Sequence, residues 1–385
     1  MDKREIVEFF MKKGIILKPD VLEYLVNKKG EIKQILEKID NVEKIPPLIS
    51  IEFLKNLLEE KKVDVEEVKK EILDKKIISV DDVSSVLIQR YEKIKSFFTF
   101  RMDLVNLISI NKINEKMKKF SLIVMVREID EMENKIVVED LTGEIIFHVK
   151  NKGIMDYLIE DEVVGVVCER NDGRIEVVNI LWPDIPLKRN IGKLEEDVFC
   201  LFCNFTIFEE NYEKILDKLK EMSFDKLCIF LFSDVDVNEK YIDKFKSFLP
   251  FNSSLILITK NRNFKEEDVL SFSPPVFLRL EKKINLLLST GNDLEFYKSK
   301  WGKGDLVMLN LLKKRHLNPI FKTQNLALEN NFIIDPIPDI FVVGPFDSPF
   351  VLNYKGTTLI SCGTSEKIFW IVNLKTRENL KIDLI

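Results

Sequence analysis

A multidomain α+β fold is what this sequence predicts, on three observations. At 385 residues the chain is too long for one ordinary domain. Apolar residues recur at helical spacing up to about Phe98. From Ser121 the period changes, first to short alternating strands and then, from about Lys193, to apolar strands interleaved with helical stretches. A hydrophobic content of 45% beside 32% charged residues belongs to a globular chain rather than a disordered one. The apolar run VFCLFCNFTIF (Val198 to Phe208) stops at Glu209, well short of the roughly 20 residues of a membrane span. The N-terminal Met1-Asp-Lys-Arg-Glu lacks the apolar segment of a signal peptide, so a cytoplasmic protein with no membrane partner is expected. Five cysteines without framework spacing fit reduced thiols.

Residues 1–78 read as a helical domain of short amphipathic segments separated by Gly14, Pro19, Gly30 and the Pro46-Pro47 pair. Ile6, Phe9 and Phe10 share one helical face, and Gly14 supplies the stop. Asp64 with Glu67 reads as a capping box ahead of Val68 and Ile72. The stretch KREIVEFF (Lys3 to Phe10) approaches a sliding-clamp peptide, with Lys3 where that pattern wants Gln; the competing reading puts Phe9 and Phe10 in the bundle's own core. Residues 79–117 are expected to form a helical linker, led by an amphipathic helix from Asp81 to Phe98 that carries Val83, Val86, Leu87, Tyr91, Ile94 and Phe97 or Phe98 on one side.

Residues 118–188 hold five strand patterns: SLIVMVREID, KIVVED, EIIFHV, EVVGVVCE and RIEVVNILW. A short helix near Ile154 to Leu158 separates the third from the fourth, which is the order of an OB-fold β-barrel. Between Ser121 and Lys188 there are 15 Asp or Glu against 7 Lys or Arg, and few aromatics beyond Phe147, Tyr157 and Trp182. Phosphate would be repelled, so this barrel is expected to bind protein rather than grip single strands. His148 is a lone strand histidine with no partner in sequence, read as structural. The formal charge of −5 likewise argues against wholesale wrapping by nucleic acid.

Residues 189–385 alternate strands and helices as an α/β layered domain, with Ile284 to Leu288, Ile340 to Val343, Thr358 to Cys362 and Ile368 to Asn373 expected to complete its second sheet. Cys200 and Cys203 form a CxxC pair, but inside a strand the two positions face opposite ways, so both read as core. No Walker or Rossmann glycine pattern and no hydrolytic triad is present.

Several motifs have a familiar order: DLTGEI (Asp140 to Ile145), DEVVGV (Asp161 to Val166), WPDIP (Trp182, Pro183, Asp184, Ile185, Pro186), RHLNPIF (from Arg315, His316 and Leu317 to Phe321), PIPDIF (Pro336 to Phe341, including Pro338 and Asp339), Val343-Gly344 and NYKG (Asn353 to Gly356). Together they resemble the archaeal DNA polymerase D small subunit and its relatives, the B-subunits of replicative polymerases, over roughly Lys118 to Ile385. The resemblance implies a calcineurin-like phosphoesterase sandwich in 189–385, whose family motifs bind two metals through carboxylates and histidines. At those positions this sequence departs. Ser-Asp-x-His falls on Cys203, Asn204, Phe205 and Thr206; Gly-Asp on Ser233 and Asp234; Gly-Asn-His-Asp on Lys260, Asn261, Arg262 and Asn263; His-Gly on Thr290 and Gly291; and Gly-His-x-His on Gly344, Pro345, Phe346 and Asp347. His316 lies outside the metal loops and reads as structural. The resemblance so altered implies no catalytic residue, no metal and no other cofactor. It implies a scaffold that pairs with the large catalytic subunit of polymerase D or a related replication protein and meets DNA mainly through the complex. Two rival readings are a stand-alone adaptor in another replication or repair assembly and a divergent metal-dependent 3′-to-5′ exonuclease.

Overall fold

The computed structural model describes residues 3–27, 35–36, 39, 45–51, 53–54, 62–69, 79–222, 224, 226–234, 237, 242, 253–260, 269–320 and 329–384. It is a multidomain α+β structure with several sheets, one of them a closed five-stranded barrel. Helix α1 (Lys3–Lys12) turns Ile6 and Phe10, one helical turn apart, into a small core with Ile15, Val21 and Leu25. Gly14 ends it with a φ of 72°, a conformation that favours glycine. Strand β1 (Ile16–Leu17) follows, then helix α2 (Pro19–Asn27) and strand β2 (Leu48–Ile49), which pairs parallel with β1. Phe10 is fully buried, so the residue a clamp peptide would offer is used by the chain's own core.

The capping box expected at Asp64 and Glu67 does not form. Those residues flank and end strand β3 (Val65–Glu67), which adds antiparallel to a distant sheet. The box stands instead at Ser79, whose side chain accepts from the Asp82 N–H while Asp82 accepts from the Ser79 N–H, each at 3.1 Å. It opens helix α3 (Val80–Ser96), which buries Val86, Tyr91 and Ile94 as its spacing predicts.

Strands β4 (Lys119–Asp130), β5 (Lys135–Asp140) and β6 (Gly143–Val149), the short helix α4 (Lys152–Met155), and strands β7 (Val163–Asn171) and β8 (Arg174–Leu181) build the barrel, in the spatial order β4-β5-β6-β8-β7. Only the β6 and β8 pair is parallel. Alternate residues fill it, among them Leu122, Val124, Ile136, Val138, Phe147, Val164 and Val177.

The remaining elements are β9 (Val198–Asn204), α5 (Phe205–Glu221), β10 (Lys226–Ser233), β11 (Ser253–Thr259), β12 (Val269–Phe272), β13 (Val276–Leu280), β14 (Ile284–Ser289), α6 (Glu295–Trp301), α7 (Gly304–Lys314), α8 (Glu329–Phe332), β15 (Ile340–Val343), β16 (Phe346–Tyr354), β17 (Thr357–Gly363), β18 (Ile368–Asn373) and β19 (Asn379–Asp383). They make two six-stranded sheets, ordered β12-β11-β10-β9-β18-β19 and β16-β17-β15-β14-β13-β3. The sheets share one core, in which Phe202, Phe230 and Cys200 of the first meet Leu278, Leu286 and Val342 of the second. Helix α5 covers the outer face of the first sheet, and α6 and α7 that of the second. The strand Ile368 to Asn373, expected in the second sheet, pairs antiparallel with β9 in the first, setting Trp370 opposite Phe202. Apolar alternation identifies it as a strand but cannot choose its neighbour. Cys200 faces the core between the sheets and Cys203 the layer under α5, as expected of positions three apart in a strand.

Candidate functional site

Two groups of residues warrant inspection: the ends of the sandwich strands, where the altered motifs fall, and the joint between barrel and sandwich. At the strand ends, Asn204 is 3% exposed, and its Nδ2 donates to the Gly363 carbonyl at 2.7 Å. Gly344 passes so near that a Cβ there would stand 2.7 Å from Asn204 Oδ1, and one on Gly291 would stand 2.1 Å from the Pro345 carbonyl. The structure thus brings together Asn204, Thr290, Gly291, Gly344 and Pro345. Asn204 Oδ1 and Thr290 Oγ1 are buried and make no hydrogen bond among the described residues.

Asp347 lies at the edge of this cluster and is already committed. It accepts from the Gly304 N–H at 2.6 Å, at the start of α7, and pairs with Lys298 at 3.2 Å. Burial alone would raise its pKa, but the Gly304 N–H and the Lys298 ammonium together outweigh that and hold it below the usual value. Burial pushes the Cys203 thiol up to about 12, so it stays protonated at neutral pH. Thr206 is exposed in the first turn of α5, and Asp234 follows β10, half-buried. Asn261 and Arg262 lie outside the described residues. Among the described residues no group of three or more His, Cys, Asp or Glu could hold a metal ion. Among the described residues this cluster offers an amide, a hydroxyl and a protonated thiol, with Asp347 engaged by Lys298 and with Asp234 just past the end of β10, whereas a two-metal centre draws on several carboxylates and imidazoles.

The joint is chemically denser. Lys314, at the end of α7, is 2% exposed and donates to Glu162 Oε2 and to the Tyr157 carbonyl of the barrel, each at 2.7 Å. Its ammonium stands 4.6 Å over the Trp182 ring, and the Trp182 indole donates to the same Glu162 oxygen at 2.9 Å. Burial pushes Glu162 upward and Lys314 downward, each toward its neutral form, while their charges and shared hydrogen bond oppose it.

Asp184, with a φ of 56°, gives its N–H to the Lys313 carbonyl at 2.7 Å. Its carboxylate takes the Tyr354 hydroxyl at 3.0 Å and Lys355 at 2.6 Å, both in NYKG. Pro183 is buried and Pro186 exposed. Arg315 caps α7 with a φ of 58°, donates to the Ile334 carbonyl at 2.7 Å and lies 4.1 Å over the Phe97 ring. Burial lowers its pKa to about 10 against the pull of Asp335 and Asp184, so it remains charged at neutral pH. The Leu317 N–H bonds to the Phe332 carbonyl at 2.8 Å, and His316, 1% exposed, accepts the Asn318 N–H on Nδ1 at 3.1 Å. His316 is therefore used inside its loop, and His148 is exposed on β6.

Arg90 of α3 completes the joint. It is fully buried and bonds the Asp161 carbonyl of the barrel at 3.3 Å and the Pro319 carbonyl at 2.5 Å. Beyond the joint, Arg189 holds Asp339 at 3.1 Å and the Pro338 carbonyl at 3.0 Å, fixing the chain that leads from barrel to sandwich. Sequence reasoning names Trp182, Asp184, Arg315 and Asp339 but misses Lys314, Glu162, Arg90 and Arg189. A lysine next to Arg315 and a glutamate inside DEVVGV were the available signals, and neither says which charge will be buried.

No protein-family model matches the chain. It is 22% identical to a DNA polymerase II small subunit of Thermoplasma acidophilum, across 94% of this chain and 86% of that protein. A DNA polymerase II small subunit of Archaeoglobus fulgidus is 23% identical across 94% of this chain and 91% of its own. One from Methanothermobacter thermautotrophicus is 22% identical across 74% and 73% respectively. A solved structure aligns with 49% of the chain at 10% identity and a TM-score of 0.31, too slight a likeness to bear on the fold.

Proposed function

We propose that this chain, a relative of the archaeal DNA polymerase II small subunits along almost its whole length, is a non-catalytic accessory subunit of a replicative DNA polymerase. In this reading the barrel at 118–188 is an OB-fold and the layers at 189–385 are a phosphoesterase-type sandwich that has lost its chemistry. The helical region at 1–78 and the linker at 79–117 precede them. The observation that carries the reading is where the family motifs sit. WPDIP, RHLNPIF and NYKG converge on the joint at Asp184, whose carbonyl accepts from Arg315 and whose carboxylate takes Tyr354 and Lys355. The motifs that carry the family resemblance therefore include residues that tie barrel and sandwich together. In this reading the positions that depart from the family motifs lie at the strand ends, where Asp347 is paired with Lys298.

A rigid two-domain body suits a scaffold that docks a large catalytic subunit and meets DNA mainly through that complex. The excess of acidic residues over the barrel supports the last point. Co-expression with the large subunit of the same polymerase tests it, and a stable complex on size exclusion is expected. Recovery of the large subunit alone would favour a stand-alone adaptor. The purified chain is expected to leave an end-labelled primer intact in Mn²⁺ or Mg²⁺, and primer loss that Asp234→Ala abolishes would overturn the inactive reading.

A further inference from the structure

Away from the Asn204 and Gly344 strand ends, the opposite end of the sandwich carries a second polar centre. It lies where β9, β15 and β17 begin, and its members are Arg189, Asp339 and Arg377. Asp339 is 1% exposed and fully engaged: it accepts from Arg189 Nη1 and the Gly192 N–H at 3.1 Å each, and from the Asn285 N–H at 2.9 Å. Arg189 Nη2 is satisfied by the Pro338 carbonyl and the Thr357 hydroxyl, both at 3.0 Å.

Arg377 is in a different position. It sits in the turn between β18 and β19, where Lys375, Thr376 and Glu378 are exposed, yet its φ of 67° accompanies a side chain that is only 14% exposed. Its nearest carboxylate oxygen, on Asp339, is 3.6 Å away. Its Nε, Nη1 and Nη2 are all buried and make no hydrogen bond among the described residues; Arg189 Nε is in the same condition. Among the described residues, both guanidinium groups share this one buried carboxylate, a surplus of one positive charge. A guanidinium removed from water with its forked donors unengaged is costly, and an oxyanion matches that fork with two parallel hydrogen bonds.

We propose that Arg377, backed by Arg189, forms a binding site for a small free oxyanion of the phosphate or sulfate class. The nitrogens lie beneath the exposed turn between β18 and β19, so an ion would reach them by displacing that turn, which a small free ion does more readily than the phosphodiester of a polymer. Asp339 is satisfied by its own partners and holds the two arginines in register.

The test is calorimetric titration of the full chain with sodium phosphate, with ionic strength held constant by sodium chloride, and melting followed in parallel. Saturable binding of phosphate and a rise in Tm over the chloride control are expected. Arg377→Met should lower phosphate affinity by about tenfold or more. Lys375→Ala, an exposed neighbour that pairs with Asp197, should leave it unchanged. Should the Met variant fail to fold, Arg377→Lys, which keeps the charge but not the fork, is expected to weaken binding. No saturable binding by the unaltered chain, or equal phosphate stabilisation of the unaltered and Arg377→Lys proteins, would overturn the proposal.

Discussion

Lys314 is the residue on which the joint turns. Its ammonium is taken out of water at considerable cost, and Glu162, the Tyr157 carbonyl and two indole rings repay it. Removing one partner strands the other, so Lys314→Met should destabilise the chain by about 3–5 kcal/mol in urea unfolding. Adding Glu162→Leu should recover part of that loss, and a double variant as unstable as the sum of both singles would rule out the pair as a unit. Asp347 offers a second residue-scale prediction, set by pH. Its carboxyl is held below the ordinary value of 3.8 by Gly304 and Lys298, so the stability it contributes is present above that value and is lost as pH falls through the lower folded pKa. Asp347→Asn should therefore cost about 1 kcal/mol at neutral pH, through the start of α7, and the gap to the unaltered protein should close in acid. A gap independent of pH would assign the effect to shape rather than charge.

Among the elements, β3 and α3 do more than their lengths suggest. Strand β3 ties the N-terminal region to the sandwich through the Glu281 N–H on the Asp64 carbonyl at 2.9 Å and the Val68 N–H on the Phe277 carbonyl at 2.8 Å. Lys69 continues the attachment by donating to the Asn330 carbonyl at 2.6 Å. Val68→Pro removes one of these donors, and the Glu281 amide is then expected to exchange its hydrogen faster while the barrel amides keep their protection. Unchanged protection at Glu281 would mean that β3 is held by side-chain packing alone. Helix α3 was legible from its apolar stripe, while its capping box at Ser79 and Asp82 emerged only in the structure. The strand at Val65 was hidden because three residues carry no period, and Asp64 with Glu67 imitates a helix start.

At the scale of the whole molecule, the polar contacts of Arg90, Lys314, Arg315 and Asp184 cross from one domain to the next, so barrel and sandwich should move together. Limited trypsin digestion is expected to spare Lys188 and Arg189, although Lys188 is exposed, because Arg189 and Gly192 are anchored on Asp339. Early release of a fragment that begins at Arg189 or Asn190 would show two independent bodies.

By itself the sequence determined the multidomain α+β class and the family likeness, though the strands within the N-terminal region read as helical escaped it. Period, turn residues and short motifs are properties of neighbours along the chain, and WPDIP, RHLNPIF and NYKG can be read without knowing what they touch. Only the tertiary structure decided that β18 joins the first sheet, that Val65 to Glu67 is a strand, and that three separated motifs meet at one joint. It also decided which charges are buried. Lys313 and Lys314 are adjacent and identical in type, yet Lys314 alone is enclosed, because one position on α7 faces the barrel and the next turns away. Burial of a charge is a property of two surfaces brought together across more than a hundred residues, and no local pattern encodes it.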